Sequence, residues 1–249
     1  MKIEGKLALV TGGAAGLGKA LTLRLLESGA KFVAIIDFNE EAGQEVASEF
    51  NRKFGDGRVM FIRCDVTKEA DLKKCFQEAY DVHDYLDIVV NNAGIISSDH
   101  QKTIAVNLVA VMNGMLIAAD LMTKKPRSEK GVIINTASMA GFLASPVVNF
   151  SYTASKYGVV GLTKSFPNST DGFSKDLRAV AICPAVVDTS LWTSNGFSTN
   201  DVKGRLETIK DRYVTVDMVI DAFIHGIEND ELNGAFVKVR KEGIDVEYS

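Results

Sequence analysis

The stretch SYTASKY, Ser151 to Tyr157, sets one lysine between two phenols. Tyr152 and Lys156 stand four residues apart and would share one helical face, whereas Tyr157, beside the lysine, would point about 100° away. A free phenol, with a pKa of roughly 10, is a poor base near neutrality and becomes a usable one when a neighbouring cation favours phenolate. The spacing therefore lets Tyr152 and Lys156 act on one site, which Tyr157 cannot join. A tyrosine and a lysine on one helix face can equally be packing beside a solvated amine. Fourteen residues earlier, Ser138 closes the apolar run Val132–Ile134 through Asn135, Thr136 and Ala137. That puts a hydroxyl at the carboxyl end of the fifth run.

A second group of residues has the types needed to hold a phosphate. In LALVTGGAAGLGKAL, Gly12, Gly16 and Gly18 fall between an apolar run and an amphipathic one. Residues without Cβ permit positive φ and close approach of a pyrophosphate, and a helix starting near Gly16 and Leu17 turns its free N–H groups toward it. Glycines that merely make a tight turn would read the same way. The next run ends at Asp37, nineteen residues after Gly18. A carboxylate there can accept from adenosine ribose hydroxyls and repels a 2′-phosphate. Ala14, Ala15, Phe38 and Asn39 around it are uncharged, so the reading is NAD over NADP, with a helix-capping aspartate as the alternative. Asp65 and Val66 follow the third run, where Asp65 could meet the adenine amine. Asn92, Ala93 and Gly94 follow the fourth beside the same crevice.

The elements that must carry these groups are legible as alternation. Short apolar runs (Leu7–Val10, Phe32–Ile36, Val59–Ile62, Ile88–Val90, Val132–Ile134, Ala179–Ile182, Ala235–Val239) read as strands covered on both faces. Between them lie helical stretches at Leu17–Glu27, Glu40–Phe54, Glu69–Tyr80, Ile104–Met122 and Thr215–Glu228, the last with Thr215 as its cap. Strands alternating with helices predict an α/β fold: one Rossmann-type, doubly wound parallel sheet of about seven strands, a single domain over 1–249, with ligand outside the carboxyl ends of the strands. Proline inside a helix costs about 3 kcal/mol or more, so Pro167 should kink or end the Tyr-Lys helix near Ser165.

Bulk properties exclude several classes. The 249 residues are 46% apolar and 24% charged, with a net charge of −4, and no basic run exceeds Lys124-Lys125. Nucleic acid and anionic membranes are poor partners for such a surface. Cys64, Cys75 and Cys183 lack CxxC spacing, and His83, His100 and His225 are not spaced to share a metal, so no metal site is expected. There is no signal-like apolar segment at the N-terminus and no unbroken apolar run of spanning length, which predicts a cytoplasmic protein with reduced thiols. Without a secretory route the sequon Asn168-Ser169-Thr170 carries no weight.

Thr-Gly-x-x-x-Gly-x-Gly, Asn-Asn-Ala-Gly, the serine after the fifth run and Tyr-x-x-x-Lys occur together and in order. In this the chain resembles the short-chain dehydrogenase/reductase family from residue 5 to about 190. The resemblance implies hydride transfer between an alcohol and NAD, with Tyr152 as acid/base, Ser138 as partner of the substrate oxygen and Lys156 as tuner and ribose ligand. Asn107 would hold a water of the proton relay. The segment after Pro184 would clamp the nicotinamide carboxamide through Val187 and Thr189, although Ala185 stands where relatives have glycine. NDELNGAFVKV and IINTASMAGF resemble a branch that holds NAD-dependent prostaglandin and insect alcohol dehydrogenases. A pocket closed by a lid at about 190–213, with Leu191, Trp192, Phe197 and Tyr213 on one side and Met139, Phe142, Val147 and Phe150 on the other, would suit a lipophilic alcohol. Any one of these aromatics could instead be lid packing. The family pairs two copies through the Tyr-Lys helix, so a homodimer is expected, with Pro167 weighing against that route. Two other readings stand beside this one: an NADPH-dependent carbonyl reductase, and a silent cofactor-binding scaffold.

Overall fold

The computed structural model describes residues 1–144, 148–170, 172–187 and 213–248. Its centre is an eight-stranded sheet built from β1 (Leu7–Thr11), β2 (Phe32–Asp37), β3 (Val59–Arg63), β4 (Ile88–Asn91), β5 (Gly131–Thr136), β6 (Leu177–Pro184), β9 (Ala235–Arg240) and β10 (Gly243–Glu247), in the order β10-β9-β6-β5-β4-β1-β2-β3. Seven strands are parallel and β10 alone runs antiparallel, against β9. The sequence predicts about seven strands. The eighth has a half-exposed, alternating pattern, with no apolar run to announce it, and it closes the edge through the turn Lys241-Glu242. Two short strands, β7 (Val186–Val187) and β8 (Tyr213–Val214), pair apart from the main sheet.

Strand parity divides the core. Ala8, Val10, Val180 and Ile182 point to the face covered by α1 (Gly16–Glu27), α2 (Glu40–Phe54) and α7 (Val216–Glu228). Leu7, Leu9, Ala179 and Ala181 point to the face covered by α3 (Glu69–Asp81), α5 (Ala110–Met122) and α6 (Phe150–Ser165). Both faces are dry, which is why the strand sequences are apolar almost throughout. The strand order reverses between β1 and β4, and that is where such sheets open a crevice.

Two helices differ from simple periodicity. The stretch expected at Ile104–Met122 begins earlier, as α4 (His100–Ile104) capped by Asp99, and passes through a π-helical turn at Ala105–Val109 before α5. A single wide turn leaves the apolar pattern nearly unchanged, so periodicity cannot announce it. By length and composition His100–Met122 could cross a membrane, but half of it is buried within the protein, as suits a core helix. The α6 helix stops at Ser165 and gives way to a 3₁₀ turn at Phe166–Asn168 holding Pro167, as the proline requires.

A buried polar chain fixes α6 on the sheet. Asn91 Nδ2 donates to Asn135 Oδ1 (3.0 Å), Asn135 Nδ2 donates to Thr163 Oγ1 (3.0 Å), and the Thr163 hydroxyl donates to the Val159 carbonyl (2.9 Å). Asn135→Ala would orphan groups on β4 and α6 at once, so urea unfolding should register a loss of about 1–3 kcal/mol. A variant as stable as the parent would mean that this chain does not hold the helix.

Candidate active site

The glycine turn is built for a phosphate. Gly12 and Gly16 have φ of +67° and +51°. A Cβ on Gly18 would lie 2.0 Å from the Gly12 carbonyl oxygen, and one on Gly12 would lie 2.9 Å from Ala93 Cα. The first turn of α1 carries no acidic residue, and Ala15 at its cap position supplies no side-chain acceptor. By contrast α2, α4, α6 and α7 are capped by Asn39, Asp99, Asn149 and Thr215. Uncapped N–H groups over a glycine cradle fit a pyrophosphate.

Around that cradle the strand ends are laced together. Asn92 Nδ2 donates to the Thr11 and Gly12 carbonyls (3.0 and 3.2 Å), and the Asn92 and Ala93 amides donate to Thr11 Oγ1 (3.0 and 3.1 Å). Thr136 Oγ1 donates to Asn92 Oδ1 (3.3 Å), and the Thr136 carbonyl accepts from Lys156 Nζ at 2.7 Å. Asp37 faces the same loop: its carboxylate accepts from the Ala14 amide (3.0 Å) and the Asn39 amide (3.0 Å). The cap of α2 is Asn39, not Asp37. Asp65 accepts from the Thr67 hydroxyl and amide. Burial raises its carboxyl pKa, but these bonds and the charges of Lys68 and Lys102 outweigh that and leave it below the usual range. Val66 and Ala93 line a small cavity with Thr11, Leu72 and Val106.

Tyr152 and Lys156 are both buried, at 8% and 4% exposure, while Tyr157 is 47% exposed. The lysine ammonium lies 5.5 Å from the Tyr152 ring centre. Ser138 follows β5 in extended backbone, caps the short turn Met139–Gly141 by accepting from the Ala140 amide at 3.1 Å, donates to the Pro184 carbonyl at 3.5 Å, and lies near enough to the Tyr152 phenol to pull its pKa down. Burial pushes the phenol up to about 12, against the opposing pull of Ser138. Burial lowers the Lys156 ammonium to about 8. In the chain alone, then, Ser138 rather than Lys156 draws the phenol toward ionisation, and burial outweighs it. Asn107 sits in the π turn with both ends of its carboxamide on Ile95: Oδ1 accepts from the amide and Nδ2 donates to the carbonyl, each at 2.8 Å. Its side chain clamps the loop after β4.

Gly94 is close to both Asn107 and Lys156: a Cβ there would lie 3.5 Å from Asn107 Oδ1 and 3.9 Å from Lys156 Nζ. Met139 is half-buried beside Ser138. Phe142 instead turns to the sheet, edge-on to Phe236 (5.5 Å) and beneath the Lys238 ammonium (4.2 Å). Phe150 is exposed and stacks on His100 (4.4 Å). Val187 is buried in β7, and Tyr213 in β8 is half-buried. Val147, Thr189, Leu191, Trp192 and Phe197 lie outside the described residues.

Sequence reasoning misses two features here. Ile96, with Ala140 and Val148, packs on Tyr152, a contact that no motif announces. Arg63 stands in register beside Asp37 across β2 and β3, lies over the Phe38 ring (5.7 Å) and approaches Glu40 at 3.6 Å. Its signal was available in the strand pairing, not in the residues adjacent to Asp37.

Fold and site together define a nucleotide-binding α/β protein with a serine–tyrosine–lysine group at the open end of its sheet. The family model for short chain dehydrogenase matches residues 6–200, and the chain belongs to that family. It is 37% identical over 248 residues to 15-hydroxyprostaglandin dehydrogenase [NAD(+)] of Macaca fascicularis, covering 96% of this chain and 92% of that protein. It is 36% identical over 201 residues to 3beta-hydroxysteroid dehydrogenase 2 of Eggerthella lenta, covering 76% and 74%. Among solved structures, a short chain dehydrogenase/reductase from Burkholderia phymatum in complex with NAD superposes with a TM-score of 0.81 at 22% identity, covering 96% of this chain and 90% of that one.

Lys156 gives the site a signature in stability. Its pKa falls from 10.5 to about 8 on folding. Between about pH 8 and pH 10.5 the unfolded chain therefore keeps a proton that the folded chain has released, and stability from this group rises with pH. Lys156→Met abolishes that gain. Denaturant unfolding across this range should show the parent gaining on the variant, whereas a constant difference would mean that the lysine is not desolvated by folding.

Proposed function

We propose that this protein oxidises a lipophilic secondary alcohol to its ketone with NAD, using Tyr152 as the acid/base. The observation that carries the reading is the buried Tyr152 phenol, with Ser138 beside it and Lys156 buried behind it. NAD, when bound, accepts the hydride from the carbinol carbon. Tyr152 takes the hydroxyl proton, and Ser138 steadies the same oxygen as its charge develops. With the phenol near 12 in the chain alone, a cation beside it is needed for work near neutrality. Lys156, at about 8, is still largely protonated there, but the phenol stands near 12 with that charge already in place, so the added cation would be the oxidised nicotinamide ring. In reduction the roles reverse and the phenol donates.

The NAD reading is supported by Asp37 at the end of β2 and by the NAD named for the prostaglandin relative. Among the described residues, Arg63 beside Asp37 is the feature that favours NADP, and its guanidinium is already shared with Glu40 and Phe38. The substrate class rests on the prostaglandin and steroid relatives and on the apolar wall of Ile96 and Val148. Val187, Thr189 and a lid at about 190–213 complete the proposed nicotinamide and substrate contacts, the whole forming one domain. Buried free thiols at Cys64, Cys75 and Cys183 suit a reducing cytoplasm.

A homodimer is part of the same proposal. Val109, Met112 and Leu116 of the π turn and α5, with Phe150, Ala154 and Tyr157 of α6, are exposed at helical spacing. This stripe ends before Ser165, so Pro167 does not interrupt it.

Two experiments test these readings. In a panel of 2-octanol, a hydroxy fatty acid and a 3-hydroxysteroid, read by nicotinamide absorbance, NAD should serve better than NADP. Tyr152→Phe should lower kcat by about 10²–10⁴-fold with NADH binding unchanged. Near-normal turnover in that variant would sink the mechanism, and preference for NADP would overturn the Asp37 argument. Leu116→Asp should turn a sedimenting dimer into a monomer. A parent that sediments as a monomer removes the dimer from the proposal.

A further inference from the structure

Asn149 takes no part in the proton transfer, yet its carboxamide joins the two segments that the transfer depends on. Its Oδ1 accepts from the Tyr152 amide (2.9 Å) and from the Ser151 hydroxyl (2.8 Å), and its Nδ2 donates to the Ser97 carbonyl (2.7 Å). Ser151 has given its one proton to Asn149, so the His100 Nδ1 at 3.0 Å is its donor. Ser97 closes the stretch that starts at Asn92. That stretch is tied to Thr11 and Gly12 at one end, held by Asn107 at Ile95 in the middle, and laid on Tyr152 through Ile96.

We propose that Asn149 is a positioning residue for the proton transfer, clamping the first turn of α6 to the loop after β4 so that the Tyr152 phenol is aimed at the substrate oxygen. Tyr152 is the third residue of α6, where the backbone N–H has no partner inside the helix. The cap holds that turn together with the packing of Ile96, Ala140 and Val148 on Tyr152, and the phenol at the end of its side chain amplifies any rotation of it. A carboxamide donates and accepts at once, whereas a serine hydroxyl can replace the cap but not the bond to Ser97.

The inference rests on Tyr152 being the acid/base, which Tyr152→Phe tests separately: turnover surviving that change defeats the mechanism whatever Asn149 does. Asn149→Ser should melt within about 3 °C of the parent, since a hydroxyl still caps the helix. Its kcat should fall about tenfold on 2-octanol and on a 3-hydroxysteroid alike, with KM and NADH affinity within about twofold. The isotope effect on kcat from a deuterated carbinol carbon should grow as the chemical step becomes slower. Ile227→Ala, which empties core on the opposite face of the sheet, should lose more melting temperature and keep its kcat. Independently of turnover, hydrogen exchange over residues 93–101 should quicken in Asn149→Ser while residues 157–165 stay protected. A loss confined to KM would make Asn149 a substrate contact and overturn the clamp. So would a kcat that follows melting temperature in both variants, or unchanged exchange over 93–101.

Discussion

A buried ammonium is the constraint around which this molecule is arranged. Lys156 is 4% exposed at the carboxyl end of the central strands, and a desolvated charge persists there only if it is hydrogen-bonded and closely packed. The Thr136 carbonyl receives it, Thr136 in turn binds Asn92, and Asn92 binds the backbone of the glycine turn. One chain of hydrogen bonds thus runs from the proton-transfer helix to the phosphate cradle. The helix can come this near because Gly141 lies against it, where a Cβ would sit 2.8 Å from the Lys156 carbonyl oxygen.

That arrangement explains why so much of the site could be read from residue types. The glycines at 12 and 18 and the Tyr-Lys spacing are demanded by sterics and by helix geometry, which act over a few residues. Strand and helix positions were likewise visible, because both faces of the sheet are covered and the pattern switches cleanly between continuous apolar runs and a 3.6 period. Asp37 is marked by its distance from Gly18 and its place at the end of the second apolar run. Its bonds to the Ala14 and Asn39 amides add that its carboxylate also shapes the glycine turn.

What stayed hidden depends on contacts between distant residues or on details smaller than a period. Arg63 meets the Asp37 corner only through strand register. The π turn shifts one helical repeat and leaves the apolar positions in place, and no spacing shows that the Asn107 carboxamide bonds the amide and carbonyl of Ile95. The eighth strand has one neighbour and little apolar content. The phenol's position near 12 follows from how deeply it is buried, and a lysine four residues away in sequence does not reveal depth.

The two tyrosines of SYTASKY show how one helix can serve two surfaces. Tyr152 points inward, where burial and Ser138 set its acidity, and Tyr157 lies outward among Ala154 and Phe150 on an exposed apolar stripe. The lysine beside Tyr157 in sequence is inside with Tyr152, because helix geometry ranks fourth neighbours above adjacent ones. Pro167 limits this helix at its far end and Asn149 fixes it at the near end. A helix bounded by a cap and a proline cannot slide along its axis without breaking one or the other. The depth of Tyr152 in the site is therefore determined by two residues that need never touch the alcohol.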